Sequence, residues 1–145
     1  MFLHQRITRM ADRDPAPPAG QGLNQLGAPG LRAFFKVAEL WALTELEQMR
    51  ILGITKRTTL QRWRAKAQRQ APMRLTRNNL ERISCVLGIY KAINILFPIP
   101  ARADRWMRAA NRASIFGGRT AIDRMAIGNV SDLEVVRQYL DAQLT

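Results

Sequence analysis

The chain has little of the chemistry that enzymes and metalloproteins use. Its 145 residues include one cysteine, Cys85, and one histidine, His4. A single cysteine excludes an internal disulfide and a multi-cysteine zinc site, and a single histidine excludes histidine-rich metal sites. The acids, bases and nucleophiles form no recognisable constellation. We therefore expect a non-enzymatic protein with no catalytic residues, metal, cofactor or small-molecule substrate.

Long hydrophobic runs are also missing. The most apolar stretch covers residues 83–97 and is interrupted by Lys91 and Asn94. A membrane span needs about 20 apolar residues. His4 and Arg6 fall where a signal peptide has an unbroken apolar run. Together with the lack of disulfides, this predicts a soluble cytoplasmic protein that does not enter a membrane.

Acidic residues are scarce relative to basic ones. The chain has 23 Lys and Arg against 11 Asp and Glu, a formal charge of +12. Such a charge predicts a polyanionic partner, nucleic acid first and an anionic membrane surface second. The hydrophobic content of 47% is ordinary for a folded protein, and the length fits one compact domain or two very small ones.

Proline and glycine are concentrated near the start of the chain, where residues 14–22 hold three prolines and two glycines. This composition predicts a flexible tail over residues 1–30. From Leu31 onward, apolar stripes at helical spacing follow one another, and no β-type alternation is present. Capping boxes are expected at Thr44 with Glu47 and at Ser131 with Glu134, and Thr120 with Asp123 is expected to start a further helix. We therefore predict an all-α chain, with helices at about 31–41, 45–52, 55–66, 76–97, 104–111, 121–127 and 132–144.

The helix at 76–97 carries two apolar stripes, so we expect it to be buried on two sides. Its second face packs either against another subunit or against the C-terminal part of the chain, and the sequence leaves both open.

The helix before it belongs to a basic segment. Residues 55–77 contain eight Lys and Arg and no acidic residue.

That basic segment has the pattern of a helix-turn-helix, since a helix over about 45–52 is followed by a turn with Gly53 and then by the basic helix. Arg, Gln and Thr are residue types that contact base edges or phosphates. The predicted DNA-binding residues are Thr55, Lys56, Arg57, Thr58, Thr59, Gln61, Arg62, Arg64 and Lys66. Leu60 and Trp63 are expected to hold the helix on its neighbours.

Two points remain open from the residues alone. A solvated basic face on an ordinary helical bundle is the alternative to DNA binding. In addition, Leu60 lies seven positions after Gly53, whereas most such motifs place the buried aliphatic residue six positions after the glycine. A turn longer by one residue would rotate the base-reading face.

The C-terminal part contains a distinctive order of elements: a helix with Trp106, then Asn111, the segment Gly117-Gly118-Arg119-Thr120, Gly128, and a closing helix with Val135 to Leu140. Together with the helix-turn-helix, this order resembles the Xre/MbcA/ParS family of bacterial antitoxins over about residues 31–145. Ala121 departs from the family pattern, which usually has proline there.

The resemblance implies an Xre-like helix-turn-helix over 31–75 and a toxin-binding domain over 76–145. It also implies a partner, a RES-domain toxin that consumes NAD, which the C-terminal domain blocks. The toxin-binding residues that it implies are Asn111, Phe116, Gly117, Gly118, Arg119, Tyr139, Leu144 and Thr145. Core packing is an equal alternative for Tyr139.

Two functions follow from these features. The first is an antitoxin that blocks its toxin and represses its own operon by binding double-stranded operator DNA as a homodimer. The alternative is a stand-alone dimeric helix-turn-helix regulator without a toxin partner.

Overall fold

The computed structural model describes residues 21–145. All regular elements of this range are helices, which confirms the predicted all-α class. The seven helices are α1 (Gln21–Leu40), α2 (Glu45–Leu52), α3 (Arg57–Gln68), α4 (Arg77–Leu96), α5 (Pro100–Arg108), α6 (Ala121–Met125) and α7 (Val130–Gln143).

Helix α4 is the centre of the fold. It packs against α1 and α2 on one side and against α5 and α7 on the other. Most of its residues from Ile83 to Asn94 are buried, which confirms that the helix is covered on two sides. Of the two alternatives for its second face, the structure shows the C-terminal part of the same chain, through α7.

The first helix begins earlier than predicted. Helix α1 starts at Gln21 and runs through Pro29, so the predicted tail is wrong for residues 21–30, while residues 1–20 lie outside the described range. The reason is a tertiary contact. A Cβ at Gly27 would lie 3.3 Å from the Met73 carbonyl oxygen, and Ala28 is buried, so this turn of helix packs on the segment before α4.

Two further boundaries differ from the predictions. Helix α5 begins at Pro100 rather than near Asp104, because proline, which has no N–H, fits the first turn of a helix. The last helix is capped at Asn129 rather than at Ser131. The Asn129 N–H donates to Asp132 Oδ2 at 3.1 Å, and the other oxygen of Asp132 lies 3.2 Å from Arg124 Nε.

The remaining predicted caps form. Thr44 and Glu47 form the capping box of α2, and Thr120 and Asp123 form that of α6. The start of α4 is capped by Thr76 with Asn79, a cap that was not predicted. These local signals fix where three helices begin, and therefore how the loops before them are placed.

Candidate functional site

The turn between α2 and α3 has four residues, from Gly53 to Lys56. Gly53 ends α2 in the left-handed conformation with φ of 77°, which favours glycine. Helix α3 starts only at Arg57, so the turn accommodates the seven-residue spacing from Gly53 to Leu60 that the sequence analysis singled out. Leu60 is completely buried there.

Helix α4 holds the C-terminal end of α2 in place. Arg82 Nη1 donates to the carbonyl oxygens of Arg50 at 3.1 Å and Ile51 at 3.3 Å, and Asn79 Nδ2 donates to that of Leu52 at 2.9 Å. The last carbonyls of a helix lack partners within it, so these side chains satisfy them. The helix-turn-helix is thereby fixed to the central helix.

The N-terminal half of α3 presents a basic and polar face. Its buried side is formed by Leu60, Trp63 and Ala67, as predicted for the first two. The predicted DNA-binding residues on the exposed side are Thr55, Lys56, Arg57, Thr58, Gln61 and Arg62, and Thr59 is half-buried. We call this group the α3 basic face.

Two of the predicted DNA-binding residues are only partly accessible. Arg64 points back into the protein, where its Nη2 donates to Gln48 Oε1 at 2.9 Å and its guanidinium lies 5.2 Å from the ring centre of Phe35. Lys66 is half-buried. The structure therefore brings most of the predicted set onto one face, but Arg64 is occupied by contacts within the protein.

The glycine turn of the C-terminal part is closed by backbone hydrogen bonds. The Gly118 N–H donates to the Asn111 carbonyl and the Asn111 N–H to the Arg119 carbonyl, each at 2.9 Å. Gly117 and Gly118 have φ of 58° and 84°, and nothing lies within 4 Å of a Cβ at either position. Backbone conformation, rather than lack of space, therefore requires these glycines. Arg119 is exposed beside them.

A row of four aromatic rings supports this turn. Phe97, Trp106, Phe116 and Tyr139 follow one another with centroid distances of 6.5, 5.9 and 5.3 Å. Phe116 is only 4% exposed, so it packs beneath the turn rather than at its surface. Tyr139 is half-buried against it. The Trp106–Phe116 and Phe116–Tyr139 pairs are edge-to-face, an arrangement that stabilises the packing of the turn on its helices.

The end of α7 lies on a different flank. Leu144 lines a cleft of about 170 Å³ together with Ile95 and Arg137. Thr145 is exposed, and its hydroxyl donates to the Ala142 carbonyl at 2.9 Å. The predicted toxin-binding residues thus fall into two groups: one around the glycine turn, and one at the end of the chain beside α4.

Sequence reasoning missed Arg108, at the end of α5. Its guanidinium donates to the carbonyls of Trp41 and Ala42 at 3.0 and 2.7 Å, and to both Glu47 oxygens at 3.1 and 2.7 Å. It therefore ties the C-terminal part to the α1–α2 turn. No local sequence pattern predicts this contact, because the partners of Arg108 lie more than 60 positions away in the sequence.

Among the ionisable groups of the described range, the Cys85 thiol is buried. Burial raises the pKa of the Cys85 thiol, which keeps it protonated and weakly nucleophilic at neutral pH. Within residues 27–145, no three His, Cys, Asp or Glu side chains are grouped as metal ligands would be. None of the helices described is long and apolar enough to cross a membrane.

Comparison with known proteins agrees with this architecture. Residues 25–87 match the model of the antitoxin Xre-like helix-turn-helix domain, and residues 93–144 match that of the antitoxin Xre/MbcA/ParS C-terminal toxin-binding domain. The two matched ranges are joined within α4. The chain is also 42% identical to the uncharacterized protein y4oB of Sinorhizobium fredii over 113 residues, which is 78% of this chain and 82% of that protein.

A helix-turn-helix bundle joined through one long helix to a toxin-binding unit defines a two-part antitoxin. The chain belongs to the Xre/MbcA/ParS family of antitoxins.

Proposed function

We propose that this antitoxin binds and blocks a RES-domain, NAD-consuming toxin through its C-terminal part and represses its own operon through the helix-turn-helix. The observation that carries the proposal is the separation of two surfaces on one fold. The α3 basic face lies in the range of the helix-turn-helix match, and the glycine turn with Arg119 lies in that of the toxin-binding match.

The α3 basic face supports operator binding. Arg57, Gln61 and Arg62 are exposed on the first turns of α3, which are the turns that enter the major groove in proteins of this type. Arg62 has no side-chain partner among the described residues, whereas Arg57 Nη2 lies 2.9 Å from Glu45 Oε1. That exposed ion pair is weak enough to be exchanged for a phosphate or a base.

Arg119 supports the toxin contact. It is exposed at the rigid glycine turn, and its side chain makes no hydrogen bond or ion pair with any residue from 27 to 145. A guanidinium fork matches a carboxylate in a bidentate pair. A carboxylate near a site that binds the cationic nicotinamide ring is the kind of toxin group that Arg119 would pair with.

Dimerisation is part of the proposal. Paired helix-turn-helix units bind half-sites about one DNA turn apart, and repression of an operator commonly depends on both. In this proposal two copies of the chain place their α3 basic faces in successive major grooves of the operator.

The DNA arm of the proposal is tested with purified protein and the promoter region of its own operon. Arg57→Ala with Arg62→Ala is expected to weaken operator binding at least about ten-fold, because each base contact contributes about 1–3 kcal/mol. Arg102→Ala with Arg105→Ala, on exposed positions of α5, removes the same charge as a control. Equal losses in both double variants would show that only net charge matters.

The toxin arm is tested by searching the neighbouring genes for one that encodes a RES-domain protein and co-expressing that protein with this chain. The full chain is expected to restore growth and to abolish NAD loss. Arg119→Glu is expected to weaken this protection, while Arg102→Glu is not. Deleting residues 131–145 is a poor test, because Leu133 and Val136 of α7 are fully buried in the core. If no RES-domain protein binds the chain, a stand-alone regulator becomes the better explanation.

A further inference from the structure

A cleft of about 310 Å³ opens between the helix-turn-helix and the C-terminal part. One wall is formed by α2, including Leu46 and Arg50, and the other by residues on either side of α6, including Arg119 and Ile127. We call it the α2–α6 cleft. It spans both ranges matched by the family models, and it includes the exposed arginine of the glycine turn.

The cleft holds an unusual concentration of exposed apolar surface. Ile127 is 58% and Leu46 is 55% exposed, the two highest values among the large hydrophobic side chains that the structure describes. Scattered exposed aliphatic residues are normal, but two at one cleft form a patch that a partner can bury. Full burial of an aliphatic side chain contributes about 1.5–3 kcal/mol.

The charges at the cleft favour an acidic occupant. Glu47 is neutralised by Arg108 at 2.7 Å, which leaves the negative charge of Asp123, held in the capping box of α6, against the two positive charges of Arg50 and Arg119. The side chains of Arg50 and Arg119 make no hydrogen bond or ion pair within residues 27–145. Two free guanidinium groups beside two aliphatic side chains suit a segment that carries both acidic and apolar residues.

The same surface disfavours DNA as the occupant. A phosphate backbone is bound through many basic and hydrogen-bonding groups, whereas the cleft, within residues 27–145, has only the two unpaired guanidinium groups of Arg50 and Arg119. The aliphatic side chains at the cleft also form no hydrogen bond or ion pair with a phosphate. A protein partner satisfies both the charges and the apolar contacts.

We propose that an acidic, apolar segment of the toxin occupies the α2–α6 cleft, so that the toxin contacts helix α2 as well as the C-terminal part. This inference rests on the proposed function and adds a contact on the helix-turn-helix to it. Leu46 and Ile127 are the anchors, and Arg50 and Arg119 pair with the toxin carboxylates around them.

The test measures the affinity of full-length variants for a catalytically inactive form of the RES-domain protein identified in the co-expression test above. Leu46→Asp and Ile127→Asp are each expected to raise the Kd about ten-fold or more, since each places a carboxylate where apolar surface is to be buried. Asp at the second position of α2 is also compatible with the helix, because negative charge is favourable at an N-terminus.

Ile99→Asp is the matched control, since Ile99 is 51% exposed and does not line the cleft. It is expected to leave the Kd unchanged. Thermal unfolding and operator binding of every variant establish that the fold and the α3 basic face are intact. A charge-reversed variant, Arg50→Glu, is expected to weaken toxin binding and to reduce its dependence on salt.

The outcomes separate the two proposals. If the wild-type chain does not bind the RES-domain protein, the proposed function itself is wrong. If it binds and Leu46→Asp has the affinity of Ile99→Asp, the contact on α2 does not exist while the antitoxin function stands. A loss for Ile127→Asp alone would confine the interface to the C-terminal part and would also overturn the inference.

Discussion

Arg82 is the residue whose replacement should most directly separate the helix-turn-helix from the central helix. It is 8% exposed, and besides the carbonyls of Arg50 and Ile51 it binds Asn78 Oδ1 through Nε at 2.7 Å. Burial lowers the pKa of its guanidinium, and the charge of Asp132 opposes that shift. The side chain thus joins the end of α2 to α4.

The expected cost of Arg82→Met follows from these contacts. Methionine keeps most of the aliphatic packing but leaves the Ile51 carbonyl without a donor and the Arg50 carbonyl with only the Gly53 N–H, at 3.3 Å. An unsatisfied buried group costs about 1–3 kcal/mol. Asp132 also loses a nearby positive charge in a buried environment. We expect a loss of about 3 kcal/mol, which lowers the Tm of a chain of this size by roughly 10 °C.

Thermal unfolding followed by circular dichroism measures this effect. Arg77→Met is the control, because Arg77 is exposed on the first turn of the same helix and loses the same charge. Its Tm should change by less than about 2 °C, as for an ordinary surface substitution. If Arg82→Met lowered the Tm no more than Arg77→Met, the contacts of Arg82 with the end of α2 would not stabilise the fold.

Two further predictions concern single contacts. A Cβ at Gly88 would lie 2.5 Å from Arg137 Cζ, so Gly88→Ala should displace the Arg137 side chain. In urea unfolding, Gly88→Ala is therefore expected to be more favourable by about 0.5–1 kcal/mol in an Arg137→Ala background than in the wild-type background. Additive effects of the two substitutions would contradict the contact. Burial raises the pKa of the Glu47 carboxyl, but this effect is outweighed by hydrogen bonds from Arg108 and the Thr44 N–H and by the Arg108 charge. The net result is a pKa below the ordinary 4.5. The stability lost in Glu47→Gln should therefore be constant above about pH 5 and vanish as the pH falls through the lowered pKa, and a pH-independent difference would argue against the ion pair.

The sequence alone identifies most of the secondary structure because the relevant signals are local. A capping box needs only residues three positions apart, as in Thr44 and Glu47 or Thr120 and Asp123, and both boxes form where predicted. The left-handed residue that ends α2 must be small, which Gly53 supplies. The acid-free run around α3 likewise needs no tertiary information to indicate a surface for a polyanion.

The same reasoning is wrong where a local pattern competes with a distant contact. Pro29 and Gly30 indicate a tail, yet the helix passes through them because Gly27 and Ala28 pack on the segment before α4. Ser131 has the spacing of a cap, but the structure uses Asn129, since the Asp132 side chain is already placed beside Arg124.

What the sequence determined by itself is the all-α class, the helix-turn-helix with its exposed basic face, and the antitoxin family. Only the tertiary structure decided that α4 is shared by both parts, that Arg64 and Phe116 are used within the protein, and that Arg82 and Arg108 join the parts together. Nor could the sequence place Leu46 beside Arg119 in one cleft. The physical reason is range: caps, turns and charge runs act over a few positions, whereas these contacts are made between side chains that only the packing of the helices brings together.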